Sequence, residues 1–131
     1  MIEVADLLLD THACVWWAHD PELLAAPARE AIADASNAVW VSAASAWELS
    51  IKVRAGKLSI DVSRLFHELS HHGFGVLGIG IDDAVQAGSL DWAHRDPFDR
   101  MLAAQATRAG HRLVTRDAHL RAFLGAQSLE A

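Results

Sequence analysis

Val4-Ala5-Asp6-Leu7-Leu8-Leu9-Asp10-Thr11-His12-Ala13 is the stretch that decides the fold. The strand is expected from Val4 to Leu9, with Asp6 as an interruption. Leu7 to Leu9 is apolar without alternation, which suggests burial on both faces, as in a parallel sheet covered by helices. Asp10-Thr11-His12 leaves the strand, and Ala13 to Ala18 reads as a helix. Asp20-Pro21 ends it, because proline disfavours helical geometry in the residue before it.

The same alternation continues outward. A helix is predicted over Pro27 to Ala35 and a second buried strand over Ala38 to Ser42. Ser42 is placed to cap a helix from Ala43 to Arg54, with Gly56 as its stop. Asp61 can cap a helix through Leu69, and Gly73 to Ile79 contains a third strand. Asp82 or Asp83 is the expected cap of a helix ending near Ala87 and Gly88. Asp96-Pro97 marks a further helix start, followed by Phe98 to Ala109 and Gly110. Arg112 to Thr115 is a fourth strand and Ala118 to Phe123 a last helix, while Gln127 to Leu129 gives a poor edge-strand signal. Strands alternating with helices predict an α/β/α sandwich with a mostly parallel sheet of four or five strands. Right-handed crossovers then bring the strand-to-helix turns to the carboxyl edge, where open α/β sheets bind ligands.

The 131 residues suit one domain spanning 1–131, and 52% of them are apolar, enough for a core without metal or disulfide staples. Lys and Arg total 11 against 17 Asp and Glu, a net charge of −6, which argues against tight nonspecific binding of nucleic acid. Arg95, Arg100, Arg108, Arg112, Arg116 and Arg121 concentrate positive charge late in the chain. Cys14 is the only cysteine, so no intrachain disulfide forms, and a reducing, cytoplasmic location is expected. Met1 to Asp6 lacks a signal-like pattern, and the apolar run at Leu7 is too short to cross a bilayer, so no membrane association is expected.

Four acids map to the predicted carboxyl edge: Asp10, Glu48, Asp99 and Asp117. Each also has a structural account. Asp10 and Asp117 could cap the helices that follow them. Glu48 lies on a stripe with Ala44, Trp47 and Ile51, expected to be buried, and could pair with Lys52 or join Ser45 in a capping box. Asp96 reads as the cap before Pro97, while Asp99 shares a helical face with Leu102, Ala103 and Ala106. Grouped carboxylates repel one another unless they share protons or bind cations. Their oxygens suit Mg2+ or Mn2+, and one ion or two are equally open.

Leu7 to Ala13, Ser42 to Glu48, Arg95 to Arg100 and Val114 to Asp117 together resemble PIN-domain ribonucleases, most closely the VapC-like toxins of bacterial type II toxin–antitoxin systems. The resemblance runs from Leu7 to about Phe123. It implies a PIN-like fold and an endoribonuclease that hydrolyses RNA phosphodiesters with Mg2+ or Mn2+. It gives Asp10, Glu48, Asp99 and Asp117 the catalytic and metal-binding roles. Thr115, Thr11, His12 and Ser42 become accessory polar residues. Lys52, Arg95, Arg100 and Arg116 are candidate RNA contacts. It also implies a homodimer and a small cognate antitoxin. Trp16 or Trp17 is the better interface candidate among tryptophans otherwise expected in the core.

Three competing readings remain. The chain could be a noncatalytic PIN-like module that binds protein or RNA. A phosphatase with an aspartyl intermediate at Asp10 is disfavoured, because Asp10-Thr11-His12 lacks the second Asp two residues on. A zinc site from His12, His94 and His119 lacks helical ligand spacing, and His67 with His71 reads as a solvated helix end.

Overall fold

The computed structural model describes residues 5–131. Val4, the predicted start of the first strand, and the segment before it, where no leader was predicted, lie outside the described residues. Strand β1 (Asp6–Leu9) leads to helix α1 (Thr11–His19), a short 3-10 turn (Pro21–Leu23) and α2 (Ala26–Ala33). Strand β2 (Ala38–Ser42) is followed by α3 (Ala43–Arg54) and α4 (Val62–His71). Then come β3 (Gly75–Leu77), α5 (Ile81–Ser89), α6 (Pro97–Ala109), β4 (Arg112–Thr115), α7 (Ala118–Leu124) and β5 (Ser128–Glu130).

The five strands are ordered β3-β2-β1-β4-β5, and every neighbouring pair is parallel. The weak C-terminal signal is therefore a real fifth strand, one residue later than expected. Leu8 pairs with Trp40 on one side and Leu113 on the other, which places β1 at the centre. Successive side chains on a strand face opposite ways. Leu7 and Leu9 accordingly join Ala13, Ala28, Leu49 and Leu65 in one core. Leu8 joins Leu102, Ala103, Ala106 and Leu120 in the other. These two cores make the sandwich. The chain winds from β1 towards β3, then returns to add β4 on the other side of β1. Parallel sheets open a crevice at such a reversal, at their carboxyl edge.

Helix starts differ from expectation where a side chain offers a better acceptor. Helix α1 begins at Thr11, because Asp10 Oδ1 accepts the Ala13 N–H at 2.8 Å. Helix α2 stops at Ala33, and the Asp34 carboxylate turns to the Ser36 N–H and hydroxyl. Neither Asp82 nor Asp83 occupies the cap position of α5: Gly80 does, and Asp83 Oδ2 reaches back to its N–H at 3.0 Å. The stripe predicted on α3 is also rotated. Trp47 is 58% and Ile51 46% exposed, while Ala44, Ser45 and Leu49 are buried. Trp16 and Trp17, by contrast, pack against the core. The exposed tryptophan of α3 is thus Trp47, and it meets Phe98 edge-on at 5.0 Å.

On the α6–α7 side of the sheet, His111 stacks on Trp40 with ring centroids 5.6 Å apart. Burial lowers the His111 pKa, opposed by the charge of Asp6. The unfolded chain therefore takes up a proton at this position more readily than the folded one. The stabilising contribution is whole above about pH 6.5 and is lost as pH falls through the folded value. In urea titrations, the stability difference between wild type and His111→Gln should shrink as pH drops from neutral. A difference that stays constant with pH would show that His111 titrates alike in both states.

Candidate active site

Asp10 continues the hydrogen bonding of β1, donating its N–H to Val114 O at 3.0 Å. This fixes the side chain at the junction of β1 and β4, and the residue is only 6% exposed. Burial raises the Asp10 pKa. A hydrogen bond from Thr115 and the N–H of Ala13 oppose the rise, and the charge of Glu48 adds to it. Asp10 is thus a costly carboxylate held by two neutral donors.

Glu48 stands beside it on α3. The Thr11 hydroxyl donates to Glu48 Oε1 at 2.6 Å, and Ser45 Oγ lies 3.0 Å from the same hydroxyl. Lys52 Nζ pairs with Glu48 Oε2 at 3.2 Å, one helical turn on. The lysine expected at RNA is therefore paired within its own helix.

Asp99 sits in the first turn of α6, facing the core side with Leu102 and Ala103 as its spacing predicted. Its pKa is pushed up to about 6, first by burial, then by Asp96 and Asp117. A 2.7 Å hydrogen bond between Asp99 Oδ2 and His94 Nε2 counters the rise. Asp96 caps α6, accepting from the N–H groups of Phe98 and Asp99 at 2.9 and 3.0 Å. Asp117 caps α7 in the same way through His119 and Leu120, at 2.9 and 3.0 Å. Its own N–H donates to Thr115 Oγ1 at 3.1 Å, so Thr115 touches two of the four acids.

The acids thus gather in two groups, Asp10 with Glu48 and Asp99 with Asp96 and Asp117. Among the described residues, no three His, Cys, Asp or Glu side chains converge to hold a metal ion. The donor set still fits a hard divalent cation. All its atoms are carboxylate oxygens, and burial leaves Asp10 and Asp99 short of positive charge.

The accessory residues divide. Thr11 and Thr115 serve the acids directly, whereas Ser42 turns into the fold. The Ser42 hydroxyl donates to Gln105 Oε1 at 2.5 Å, and Gln105 Nε2 donates to Gly78 O at 3.2 Å. His12 is exposed and stacks on Trp16 at 5.6 Å. Two of the arginines are engaged by backbone carbonyls. Arg100 donates to the carbonyls of Ala87, Gly88, Leu90, Trp92 and His94, which occupies all five of its N–H groups. Arg116 lies over Trp16 at 4.5 Å and bonds to the carbonyls of Ala131 and Leu23. Arg95 is exposed. Sequence reasoning considered His94 only as a zinc ligand and missed its bond to Asp99. The spacing of five residues across the irregular His94-Arg95-Asp96 turn carries no helical signal.

The fold and this edge define a parallel α/β protein with a carboxylate centre where the chain reverses its winding. Residues 7–123 match the family described as PIN domain. The chain is 34% identical over 120 residues to Ribonuclease VapC22 of Mycobacterium tuberculosis, covering 88% of this chain and 89% of that protein. It belongs to the PIN-domain family and is VapC-like. Two solved structures share the fold. VapBC2 from Rickettsia felis, bound to a promoter DNA fragment, superposes with a TM-score of 0.61 at 18% identity, over 86% of this chain and 88% of that one. A toxin–antitoxin complex from Klebsiella pneumoniae gives 0.62 at 19% identity, over 95% and 96%.

Two outcomes follow for stability in EDTA at neutral pH. Asp10→Asn should melt at a higher temperature than wild type, because it removes a buried charge and keeps an oxygen for the Ala13 N–H. A lower melting temperature by calorimetry would locate the worth of Asp10 in its hydrogen bonds instead. Arg100→Lys should cost about 1.5–3 kcal/mol in urea unfolding, since an ammonium cannot span the five carbonyls. A loss within experimental scatter would contradict the clamp.

Proposed function

We propose that this chain is a divalent-metal-dependent endoribonuclease and the toxin component of a type II toxin–antitoxin system. Asp10 carries the reading: a buried, charge-starved carboxylate at the carboxyl end of the central strand, in a VapC-like chain. Asp10, Glu48, Asp99 and Asp117 are the residues that would hold Mg2+ or Mn2+. Bound there, the ion would supply positive charge to the phosphoryl group and acidify nearby water.

The chain's own residues prepare this chemistry. Thr115 orients Asp10, Thr11 and Lys52 fix opposite oxygens of Glu48, and His94 fixes Asp99 Oδ2. Asp99 Oδ1 is left for the ion or to accept a proton from the attacking water. The P–O bond opposite the incoming water then breaks, and the departing oxygen takes up a proton from solvent.

The partners in this reading are RNA, a second copy of the chain and a small antitoxin. Exposed apolar residues on α3 and α5, with Trp47 at 58%, Ile81 at 80% and Val85 at 65%, support protein partners. No helix among the described residues is long and apolar enough to cross a membrane.

Purified protein should cleave pooled cellular RNA with Mg2+ or Mn2+, stop in EDTA, and fall to that EDTA level with Asp10→Asn. Undiminished cleavage by Asp10→Asn would remove the assignment. One observation favours a second reading: among the described residues no three acids converge into a closed ligand set. A noncatalytic RNA- or protein-binding module would leave RNA intact in every arm of the assay.

A further inference from the structure

Four rings outside the acidic set form a chain of aromatic contacts beside it, stacked at both ends and tilted by 40° between Trp92 and His94. Phe123 lies on Trp92 with centroids 4.3 Å apart and planes 16° apart. Trp92 meets His94 at 4.8 Å, and His94 stacks on His119 at 4.6 Å with a 17° angle between planes. The inner rings are anchored: Trp92 packs against the core around Leu102, and His94 Nε2 bonds to Asp99. His119 is exposed, and its backbone N–H bonds to Asp117. The ladder therefore ends in an exposed ring next to two acids of the proposed centre.

Charge makes this ending meaningful. The protein carries a net −6, and the candidate centre is itself acidic. Of the four cations expected at RNA, Lys52 is paired with Glu48, Arg100 is saturated by carbonyls, and Arg116 is held by Trp16 and Ala131, which leaves only the exposed Arg95. Phosphate attraction is correspondingly weak near the site. Stacking on an aromatic face needs no positive charge, and unpaired bases use it throughout single-strand recognition. The stack of His119 on His94, itself bonded to Asp99, limits the freedom the ring has left to lose when a base settles on it.

We infer that an unpaired base of a single-stranded RNA stacks on the exposed face of His119, as the next rung of the Phe123–Trp92–His94–His119 ladder. This assignment rests on the ribonuclease reading and deepens it by naming a substrate-positioning residue. The base is held by its flat face, so its identity matters less than its being unpaired.

A double-mutant cycle tests it. Short single-stranded RNAs carrying one abasic site at successive positions are titrated by fluorescence anisotropy in EDTA, which prevents cleavage. Wild type, His119→Ala and His119→Phe are compared, each checked for folding by circular dichroism. At one position the abasic site should weaken wild-type binding roughly tenfold. His119→Ala should bind intact RNA that much more weakly and be indifferent to the abasic site, and His119→Phe should restore both. In Mg2+, the His119→Ala loss should appear in KM more than in kcat. An abasic penalty of equal size in wild type and His119→Ala overturns the stack. So does a wild type that binds RNA with no position sensitive to base removal. If wild type neither binds nor cleaves RNA, the ribonuclease reading fails and takes this inference with it, a result distinct from the other two.

Discussion

The rest of this structure depends on the double-sided burial of Leu7, Leu8 and Leu9. An apolar strand with no wet face is stable only between two layers, so it becomes the centre of the sheet. Helices α1 to α4 cover Leu7 and Leu9, and α6 and α7 cover Leu8. The next residue then has one place to go. Asp10 emerges where β1 and β4 part, still hydrogen-bonded to Val114, and becomes both the cap of α1 and the innermost acid of the edge. A single oxygen thus links helix initiation to the candidate chemistry.

The acids around Asp10 are held more by neutral donors than by opposite charge. Thr115 and the Ala13 N–H serve Asp10, Thr11 serves Glu48, and backbone N–H groups serve Asp96 and Asp117. Lys52, paired with Glu48, is the charged exception, while His94 meets Asp99 through a ring-nitrogen hydrogen bond. Neutral donors orient a carboxylate while leaving its charge largely uncompensated, so the edge keeps an affinity for cations. The separation into two groups follows from the topology. Asp10 and Glu48 come from β1 and the helix after β2, while Asp99 and Asp117 flank β4.

Much of this was legible in the chain. The strand–helix alternation and the caps at Asp10, Asp96 and Asp117 followed from local patterns that the fold keeps. The failures share a cause. Trp47 and Ile51 have the hydrophobicity of a buried face, yet Thr11 and Ser45 rotate α3 so that Ala44, Ser45 and Leu49 point inward. Pattern reading weighs apolar size and cannot see a hydroxyl partner thirty-four residues away. Arg100 and Arg116 looked like free cations because their partners are backbone carbonyls, which carry no sequence signature. The aromatic ladder was equally hidden. Its four rings come from α7 and an irregular loop, with no period to connect them.

Arg100 also constrains how proteins built on this plan can diversify. Its guanidinium reads five carbonyls between Ala87 and His94, so the segment from the end of α5 to α6 is wound around one side chain at fixed length. An inserted residue would swing at least one of those carbonyls away and displace His94, and Asp99 with it. Length variation is thereby excluded from a connection that borders the acidic edge. Novelty in what such a protein grips must come from exchanging side chains on this stretch, or from lengthening segments that carry no such internal splint, such as 55–61 between α3 and α4.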